Sequence, residues 1–428
     1  MYPAIQHISE ILPAVDGDSA FRVVEKDCGY TYINYNHMGS DVFPPMPTDA
    51  EWEQAQGDEW ENHVLDQDSL RSALRRECRG IAFNTASGFI ASRPFHKFFN
   101  AGEREEVSMT ALPFNTPHVI MDKMDGSMMR PFLVADKVRW GTKMGPDTDV
   151  AKMAQIFAAQ YDKYENMARA CMELGVTPIF EYVSKENRIV VSYPKRDMVL
   201  LAIRETISGV YWSREDVLQV ANAFDVPVVD VYNADIGNNT GLDAWDTTTN
   251  EGLATKFVQS IRQSSDIPEG VVLWWPSWGF VKVKTEEYVD LHRAKEKMAT
   301  ERNLITVILS DTIDDLLPLL DTEDQDRLTA FVDSFWGEMN LLEDKIETYY
   351  EWSKRDFDTK RGFAVSGKLA DQPHIRSLVF ALWDGKLEDS QKAAMKALES
   401  GLVSETKWRE IKDKWEFSFD WNETEDNE

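Results

Sequence analysis

The hydrophobic residues of this chain change their spacing near residue 286. Before that point, short runs such as RGIAFN, HVIMDKMDGS and GVVLWWP are rich in β-branched and aromatic residues and are separated by Gly, Asn and Pro, which is typical of antiparallel strands. Helical spacing appears at 149–174, near Ser213 and at 250–264, and beyond 286 it is the only pattern. The sequence therefore predicts an α+β body of antiparallel sheets with flanking helices, residues 1–290, followed by an all-α domain, residues 291–428.

Within the body, TPIFEYVS, NRIVVSYP and MVLLAIRE are predicted as further strands. Ser213 and Asp216 have the spacing of a helix cap in which each side chain meets the other residue's backbone. The acidic, Pro-rich segment 40–70 is predicted to be a loop with a short helix, and we assign it no role.

The formal net charge of −28 argues at first against a nucleic-acid partner, because such binding depends on neutralised phosphates. The charge is uneven, however: residues 301–428 contain 30 acidic and 16 basic residues, whereas residues 71–104 contain seven basic and two acidic ones. Since charges more than about 8–10 Å away are screened, we predict a local basic surface over 71–104. Its basic residues are Arg71, Arg75, Arg76, Arg79, Arg93, Lys97 and Arg104, of which Arg75 and Arg76 are expected to form a solvated helix end.

No run approaches the ~18 apolar residues that a membrane span needs. The start of the chain, MYPAIQHISEILPAVDGDSA, lacks the basic residues and apolar core of a secretion signal. Cys28, Cys78 and Cys171 are widely spaced and form neither a disulfide framework nor a metal-ligand pattern. We therefore expect a cytoplasmic protein that does not contact a membrane.

Lys123 closes an apolar run and is followed two residues later by Asp125 and Gly126. Asp-Gly is an ordinary hairpin turn, so this lysine is either a solvated residue beside a turn or a nucleophile at the end of a strand. Lys-x-Asp-Gly should occur by chance in roughly one chain in ten of this length. By itself the motif favours the solvated lysine.

Motifs later in the sequence favour the interpretation of Lys123 as a nucleophile. Glu181 lies on a predicted strand between two aromatic residues and points away from them. Glu269 precedes Gly270 at the start of an apolar strand, and Lys282 and Lys284 share one face of the next strand. Two ammonium groups side by side repel each other unless both bind phosphate, although lysines facing outward on an edge strand are also common.

In this order, the four motifs resemble those of the covalent nucleotidyltransferases. They are most similar to the RNA ligase 1 family of T-even bacteriophages, ATP-dependent enzymes that reseal broken RNA. The similarity lies within about residues 20–295 and is carried by ECRGIAF, RPFHKFFNAGE, KMDGS, GTKMG, FEYVSKENRIVVSY, EGVV and VKVKTEEYVDLH. It implies that residues 1–290 form a nucleotidyltransferase (adenylation) domain and that residues 291–428 form a helical domain with RNA (tRNA) specificity. The alternative for residues 291–428 is that these helices pack on the body and only stabilise it.

The resemblance implies that Lys123 attacks the α-phosphorus of ATP and carries AMP, which then passes to an RNA 5′-phosphate and is displaced by a 3′-hydroxyl. Lys282, Lys284 and a bound Mg²⁺ would offset phosphate charge and favour the neutral form of Lys123. Whether Mn²⁺ replaces Mg²⁺ stays open. The catalytic group is thus expected to comprise Lys123, Asp125, Glu181, Lys282 and Lys284.

The resemblance also implies that Arg79 and Lys97 hold phosphate, that Phe99 stacks on the adenine and that Lys143 reaches the phosphates from the sheet. Gly126 would let the backbone approach the nucleotide, and Glu181 would bond the ribose. Tyr288 and Arg188 match less specifically, and Tyr288 fits the buried face of a helix equally well. The nucleotide is then expected to contact Arg79, Lys97, Phe99, Lys123, Gly126, Lys143, Glu181, Glu269, Lys282 and Lys284, and Mg²⁺ to bind Asp125, Glu181 and Glu269.

DNA ligases and mRNA capping enzymes follow Lys-x-Lys with a β-barrel domain, whereas EEYVDLHRAKEKMATERN has helical spacing, which disfavours both. A catalytically silent RNA-binding or acidic scaffold protein with the same fold is the alternative from another class. The expected partners are ATP and RNA with 5′-phosphate and 3′-hydroxyl ends, with a nicked tRNA as the family precedent. We expect a monomer in the cytoplasm, which would be the host cytoplasm for a bacteriophage protein.

Overall fold

The computed structural model describes residues 2–36, 42–45, 67–185, 190–232, 249–310, 312–320, 322–399 and 401–421. Arg188 and most of segment 40–70 lie outside these residues. The chain divides into two compact units, Met1–Val289 and Asp290–Glu428.

In its described residues, the first unit contains three antiparallel four-stranded sheets, so the predicted α+β body of antiparallel sheets is confirmed. The strands are β1 (Phe21–Lys26), β2 (Tyr30–Tyr35), β3 (Arg79–Asn84), β4 (Ile90–Ser92), β5 (Val119–Asp122), β6 (Ser127–Val134), β7 (Lys137–Gly141), β8 (Val176–Val183), β9 (Asp197–Glu205), β10 (Val231–Tyr232), β11 (Gly270–Trp275) and β12 (Gly279–Lys284). The strand orders in the three sheets are β1-β2-β3-β4, β10-β5-β11-β12 and β7-β6-β8-β9.

Helices pack on these sheets or connect their strands. They are α1 (Gln67–Glu77), α2 (Asp149–Ala158), α3 (Asp162–Glu173), α4 (Arg214–Phe224) and α5 (Asn250–Arg262), with short 3₁₀ turns at Ile8–Glu10, Leu12–Ala14 and Glu105–Val107. The helix α6 (Glu286–Met298) begins after the last strand, at the end of the first unit, and continues into the second. One half of the cap predicted for α4 is present, since the Asp216 amide donates to Ser213 Oγ at 3.1 Å. The Asp216 carboxylate accepts from the Ser213 hydroxyl at 2.6 Å instead of from the Ser213 backbone amide. The residues 149–174 form two helices rather than one, because Tyr161 adopts an extended conformation (φ −139°, ψ 110°) that starts α3 in a new direction.

One predicted strand is absent from the described residues. In NRIVVSYP, residues 190–194 form bends rather than a strand. The amides of Val190 and Val191 donate to the carboxylate of Asp125 at 2.6 and 2.7 Å instead of to a neighbouring strand. A side chain has thus taken the hydrogen bonds that a sheet would have supplied.

The second unit is helical in its described residues, as predicted. Its longest helix, α9, places Leu328, Phe331, Phe335, Met339 and Ile346 on its buried side at the spacing of an amphipathic helix. Its helices are α7 (Glu301–Leu309), α8 (Ile313–Leu316), α9 (Thr322–Asp356), α10 (Lys360–Val365), α11 (Pro373–Trp383), α12 (Ser390–Glu399) and α13 (Glu405–Trp415), with a 3₁₀ turn at Leu317–Leu319. Over the described part of the chain, every helix is too short or too polar to cross a membrane.

A buried ion network joins α1 to the sheets. Glu77, at the end of α1, is 2% exposed and accepts from Arg204 on β9 at 2.7 Å and from Arg93 at 3.0 Å, and both arginines are fully buried. Burial alone would raise the pKa of Glu77, but the two guanidinium groups hold it well below its usual range. Removing one partner of such a network leaves buried charge without compensation.

We therefore expect Glu77→Ala to lower the free energy of unfolding by about 3–5 kcal/mol, measured by urea denaturation. Glu173→Ala is the matched control, because Glu173 is exposed at the end of α3, and it should change stability by no more than about 0.5 kcal/mol. Similar losses in the two variants would contradict a stabilising role for the network.

Candidate functional site

Lys123 lies between two sheets of the first unit. The strand β5 ends at Asp122 and β6, in a different sheet, begins at Ser127. The backbone amide of Lys123 donates to the carbonyl of Gly270 at 3.0 Å, which continues the pairing of β5 with β11. The side chain therefore projects from a fixed backbone position rather than from a free turn.

Asp125 holds the residues that follow Lys123. Its Oδ2 accepts from the amides of Val190 and Val191, its Oδ1 accepts from Tyr288 Oη at 2.8 Å, and its own amide donates to Tyr193 Oη at 2.9 Å. Asp125 is 2% exposed. Since both carboxylate oxygens are engaged, the expectation that Asp125 binds a metal ion does not fit this structure, and its position is that of a structural hub.

Two glycines allow close backbone contacts around this turn. A Cβ at Gly126 would lie 2.4 Å from the carbonyl oxygen of Tyr182 on β8, and one at Gly270, where φ is +147°, would lie 2.0 Å from that of Val283 on β12. The close approach at Gly126 is therefore made to a neighbouring strand, whereas the sequence suggested an approach to a nucleotide. Any side chain at either position would separate strands that carry site residues.

Glu269 is the counter-ion of Lys123. Its carboxylate contacts the Lys123 ammonium and lies 3.6 Å from that of Lys284, although Glu269 is only 2% exposed. Burial raises the pKa of Glu269, opposed by Lys123 and Lys284. Its second oxygen, Oε2, is buried and has no hydrogen-bond partner among the described residues.

Lys282 and Lys284 point away from the buried Val281 and Val283, as their alternation predicts. The solvated-edge interpretation is wrong for β12, because the chain at 99–101 covers this edge: the amide of Lys282 donates to Phe99 O at 3.1 Å, and the amide of Ala101 donates to Lys282 O at 2.9 Å. Burial and the ammonium groups of Lys97 and Lys123 lower the pKa of Lys282 to about 7. Burial and Lys123 also lower the pKa of Lys284.

Glu181 faces the same region from β8. It lies between the buried rings of Phe180 and Tyr182 in sequence and is half-buried itself. Burial raises the pKa of Glu181 to about 8, with the Glu269 carboxylate acting in the same direction and the Lys123 ammonium opposing. Two carboxylates thus share this region with the lysines.

Three further cations lie near this group: Arg79 on β3, Lys97 in the segment after β4 and Lys143 in the turn after β7. Burial lowers the pKa of Lys97 to about 8, with Arg79 and Arg104 acting in the same direction and Glu103 opposing. Burial and Arg79 lower the pKa of Lys143, and a Cβ at Gly80 would lie 2.6 Å from the carbonyl oxygen of Lys143, so β3 and this turn are in close contact. Arg79 also acts on Lys282 and Glu181, which places it near the centre of the group.

The structure brings two aromatic rings to these cations that the sequence did not single out. The ring of Phe98 lies 5.9 Å from both Arg79 Cζ and Lys282 Nζ. The ring of Tyr35 lies 5.9 Å from Lys97 Nζ and 6.0 Å from Lys143 Nζ. The neighbouring Lys97 could have pointed to Phe98, but nothing near Tyr35 in sequence marks it.

Phe99 does not fit its predicted role. It is 2% exposed in the core of the first unit and packs on Phe43. The groups around its ring are Lys97 Nζ at 4.6 Å, Arg104 Cζ at 4.4 Å and Arg76 Cζ at 5.5 Å. An adenine cannot stack on a ring in this position, and the half-exposed Phe98 is the accessible alternative.

Much of the predicted basic surface over 71–104 is also absent. Arg75 and Arg76 are each 4% exposed, and they pair with Asp18 at 2.5 Å and with Glu106 at 2.7 Å instead of forming a solvated helix end. Arg93 is buried with Glu77. Of the predicted surface, Arg79 and Lys97 contribute to the site, and its other positive charges come from residues distant in sequence: Lys123, Lys143, Lys282 and Lys284.

The remaining carboxylates fit a divalent cation that also binds phosphate. In the described ranges, no group of three or more His, Cys, Asp and Glu side chains is arranged as a metal site. Mg²⁺, however, is commonly bound by one or two carboxylates together with substrate phosphates. Glu181 and the unpartnered Oε2 of Glu269 supply such oxygens, whereas Asp125 does not.

Comparison with known proteins finds similarity over the part of the chain that contains this site. Residues 77–289 match the family model described as RNA ligase. A protein named "Putative RNA ligase" from Thermovibrio ammonificans is 34% identical over 142 residues, which cover 33% of this chain and 37% of that protein. RNA ligase 1 of Bacteriophage TS2126 is 30% identical over 145 residues, 32% of this chain and 36% of the relative. The chain thus matches little more than a third of the length of these relatives.

Among solved structures, an archaeal ATP-dependent RNA ligase (form 2) is similar with a TM-score of 0.41 and 12% sequence identity, covering 68% of this chain and 64% of that one.

The raised pKa of Glu181 predicts a pH-dependent stability. In the unfolded chain this carboxyl loses its proton near pH 4.3, but in the folded protein it keeps the proton up to about pH 8. The folded state therefore binds more protons across this window, and stability falls as pH rises. Glu181→Gln removes this cost, so its melting temperature in EDTA should match that of the wild type near about pH 5 and exceed it by about 2 °C or more near pH 8.5. The exposed Glu173→Gln is the control, and a constant difference at all pH values would contradict the assignment.

Proposed function

We propose, from the match of residues 77–289 to the family model described as RNA ligase, that the chain belongs to this family and is an ATP-dependent RNA ligase that works through a covalent lysyl-AMP. It would join RNA 5′-phosphate and 3′-hydroxyl ends. The observation that carries the proposal is the contact of Lys123 with the buried Glu269 beside Lys282 and Lys284. In this proposal Lys123 would be the nucleophile, Glu269 the proton acceptor, and Lys282 and Lys284 the phosphate-binding cations. A specific relation to the RNA ligases of T-even bacteriophages is part of this proposal.

In the first step, neutral Lys123 Nζ attacks the α-phosphorus of ATP, the N–P bond forms, and the bond to pyrophosphate breaks. The ammonium proton has to leave first, and the Glu269 carboxylate that contacts Nζ is placed to accept it. Lys282, Lys284, Arg79, Lys97 and Lys143 would bind the phosphates. Because burial lowers the pKa of Lys282 to about 7, an arriving polyphosphate would stabilise its charged form.

A bound Mg²⁺ would supply further charge compensation for the phosphates, and Glu181 and Glu269 are the residues that would hold it. The adenine would stack on Phe98 or Tyr35 rather than on Phe99. In the later steps AMP passes to the RNA 5′-phosphate, which frees Lys123, and the 3′-hydroxyl then attacks that phosphate and expels AMP.

Lys123→Ala should abolish the covalent AMP adduct formed with radiolabelled ATP, because no other nucleophile takes its place. The same variant should still join pre-adenylated RNA to a 3′-hydroxyl end at a rate within about tenfold of the wild type, since the lysine is needed only for charging. The fold should persist, because Lys284 remains 3.6 Å from Glu269.

The matched variant is Lys282→Ala, which removes an equally large cation from the same site and should impair charging by at least about 10²-fold through lost phosphate binding. An AMP adduct on the Lys123 variant would overturn the choice of nucleophile. A wild-type protein that forms no AMP adduct but still binds RNA would favour the silent RNA-binding alternative.

The helical unit, residues 291–428, would select the RNA, with a nicked tRNA as substrate. Its excess of acidic residues over 301–428 opposes unspecific attraction of phosphate, so selection by shape is expected. The full chain should therefore join a nicked tRNA at least about tenfold more efficiently, in kcat/KM, than a plain single strand. Equal efficiencies on the two substrates would contradict this role.

A further inference from the structure

The helical unit contains an open cleft of about 530 Å³. It lies between the C-terminal part of α9 and the turn that follows α10. Two aromatic residues, Tyr349 and Trp352, and two cationic residues, Arg355 and Lys368, line it. Aromatic rings interleaved with cations are the combination that binds single-stranded nucleic acid.

The ring of Trp352, which forms one wall of the cleft, packs against other aromatic rings. Trp352 is half-buried, and its ring lies edge-on to Phe357 at 5.8 Å and to Phe363 at 6.0 Å. Phe363 is fully buried in a small core of its own. The indole therefore has a fixed orientation, which reduces the entropy lost when a flat ligand stacks on it.

The opposite wall is a strained turn. Leu369 is 8% exposed and has a φ of +57°, a left-handed conformation that a branched side chain seldom adopts. Gly367 on the other side of Lys368 also has a positive φ, +67°. This backbone buries Leu369 while the exposed Lys368 lies at the cleft. Strain of this kind persists where the surrounding structure requires it and is often found at ligand sites.

The local charge is opposite to that of the unit. Residues 352–376 contain six basic and three acidic residues, within a region of 30 acidic and 16 basic ones. Glu351 also lines the cleft, and Arg355 pairs with Asp356 at 2.9 Å, but the Arg355 side chain is 74% exposed, and such exposed pairs are weak. The charged residues that line the cleft are thus Arg355, Lys368 and Glu351, a net of one positive charge in a unit with an acidic excess, and this suits an anion.

We propose that this cleft binds one nucleotide of a single-stranded part of the RNA substrate, with the base stacked on Trp352 and the neighbouring phosphates paired with Arg355 and Lys368. The inference rests on the proposed function and extends it to a second RNA contact, separate from the site around Lys123. Stacking on an aromatic face tolerates any base, so the cleft would hold an unpaired nucleotide without reading its identity.

The test compares two double charge reversals in the full chain. Arg355→Glu with Lys368→Glu changes the cleft, whereas Lys407→Glu with Arg409→Glu makes the same change at exposed positions of α13. Binding of a fluorescent 5′-phosphorylated RNA oligonucleotide is followed by anisotropy over a series of salt concentrations. The cleft variant should bind at least about tenfold more weakly at low salt, and its salt slope should fall by roughly 1.4, for two lost phosphate contacts on a single strand. Equal losses in both variants would overturn the proposal.

Trp352 is tested separately, because removing an indole could disturb the fold. Trp352→Leu should weaken RNA binding at least about fivefold, and Trp352→Phe, which keeps a ring, should restore most of it. Circular dichroism establishes that both variants are folded. If Leu and Phe bind RNA equally well, the base does not stack there.

Charging with ATP is measured on every variant and separates this inference from the proposed function. The cleft variants should form the AMP adduct at the wild-type rate, because they leave the residues around Lys123 unchanged. If the wild type forms no AMP adduct, the ligase assignment is wrong. The RNA-binding comparison between the cleft and control variants then decides the proposal for the cleft by itself. No loss of RNA binding by the cleft variants, in a wild type that charges normally, would overturn the cleft alone.

Discussion

The carboxylate of Asp125 determines the position of the residue on which the site depends. It accepts hydrogen bonds from two consecutive amides, Val190 and Val191, and from the hydroxyl of Tyr288 at the start of α6. These donors are buried or partly buried, so without the carboxylate each would lose a partner at a cost of about 1–3 kcal/mol. The turn bearing Lys123, the segment after β8 and the beginning of α6 are therefore held by one side chain.

That arrangement brings several ionisable side chains together in a buried region, and burial disfavours their charged forms. Lys97, Lys282 and Lys284 all have lowered pKa values, mainly because they are buried, and Glu181 and Glu269 have raised ones. In each of these groups the charged form is therefore less favourable than it is in water. A polyphosphate with its cation would supply the missing compensation, which is why a chain of net charge −28 can contain a site suited to anions.

The sequence predicted the strand-borne part of the site better than its surroundings. Alternation along β12 and β8 was enough to place Lys282, Lys284 and Glu181 on the correct faces. The sequence predicts a basic surface that includes Arg75, Arg76 and Arg93, but these side chains pair with Asp18, Glu106 and Glu77. Counting charges along the sequence cannot detect such tertiary contacts. Phe98 and Phe99 are adjacent and chemically identical, so only the packing of Phe99 against Phe43 distinguishes the buried ring from the accessible one.

The ion pair of Lys123 with Glu269 spans 146 residues of chain. Ribosomes add about 5–20 residues per second, so Lys123 leaves the peptidyl-transferase centre roughly 7–30 s before its carboxylate partner exists. The strand β12, which carries Glu269's neighbours Lys282 and Lys284, is synthesised later still. A nascent chain can fold its first sheet during this time, but the charge cluster around Lys123 is complete only after nearly the whole first unit has been translated.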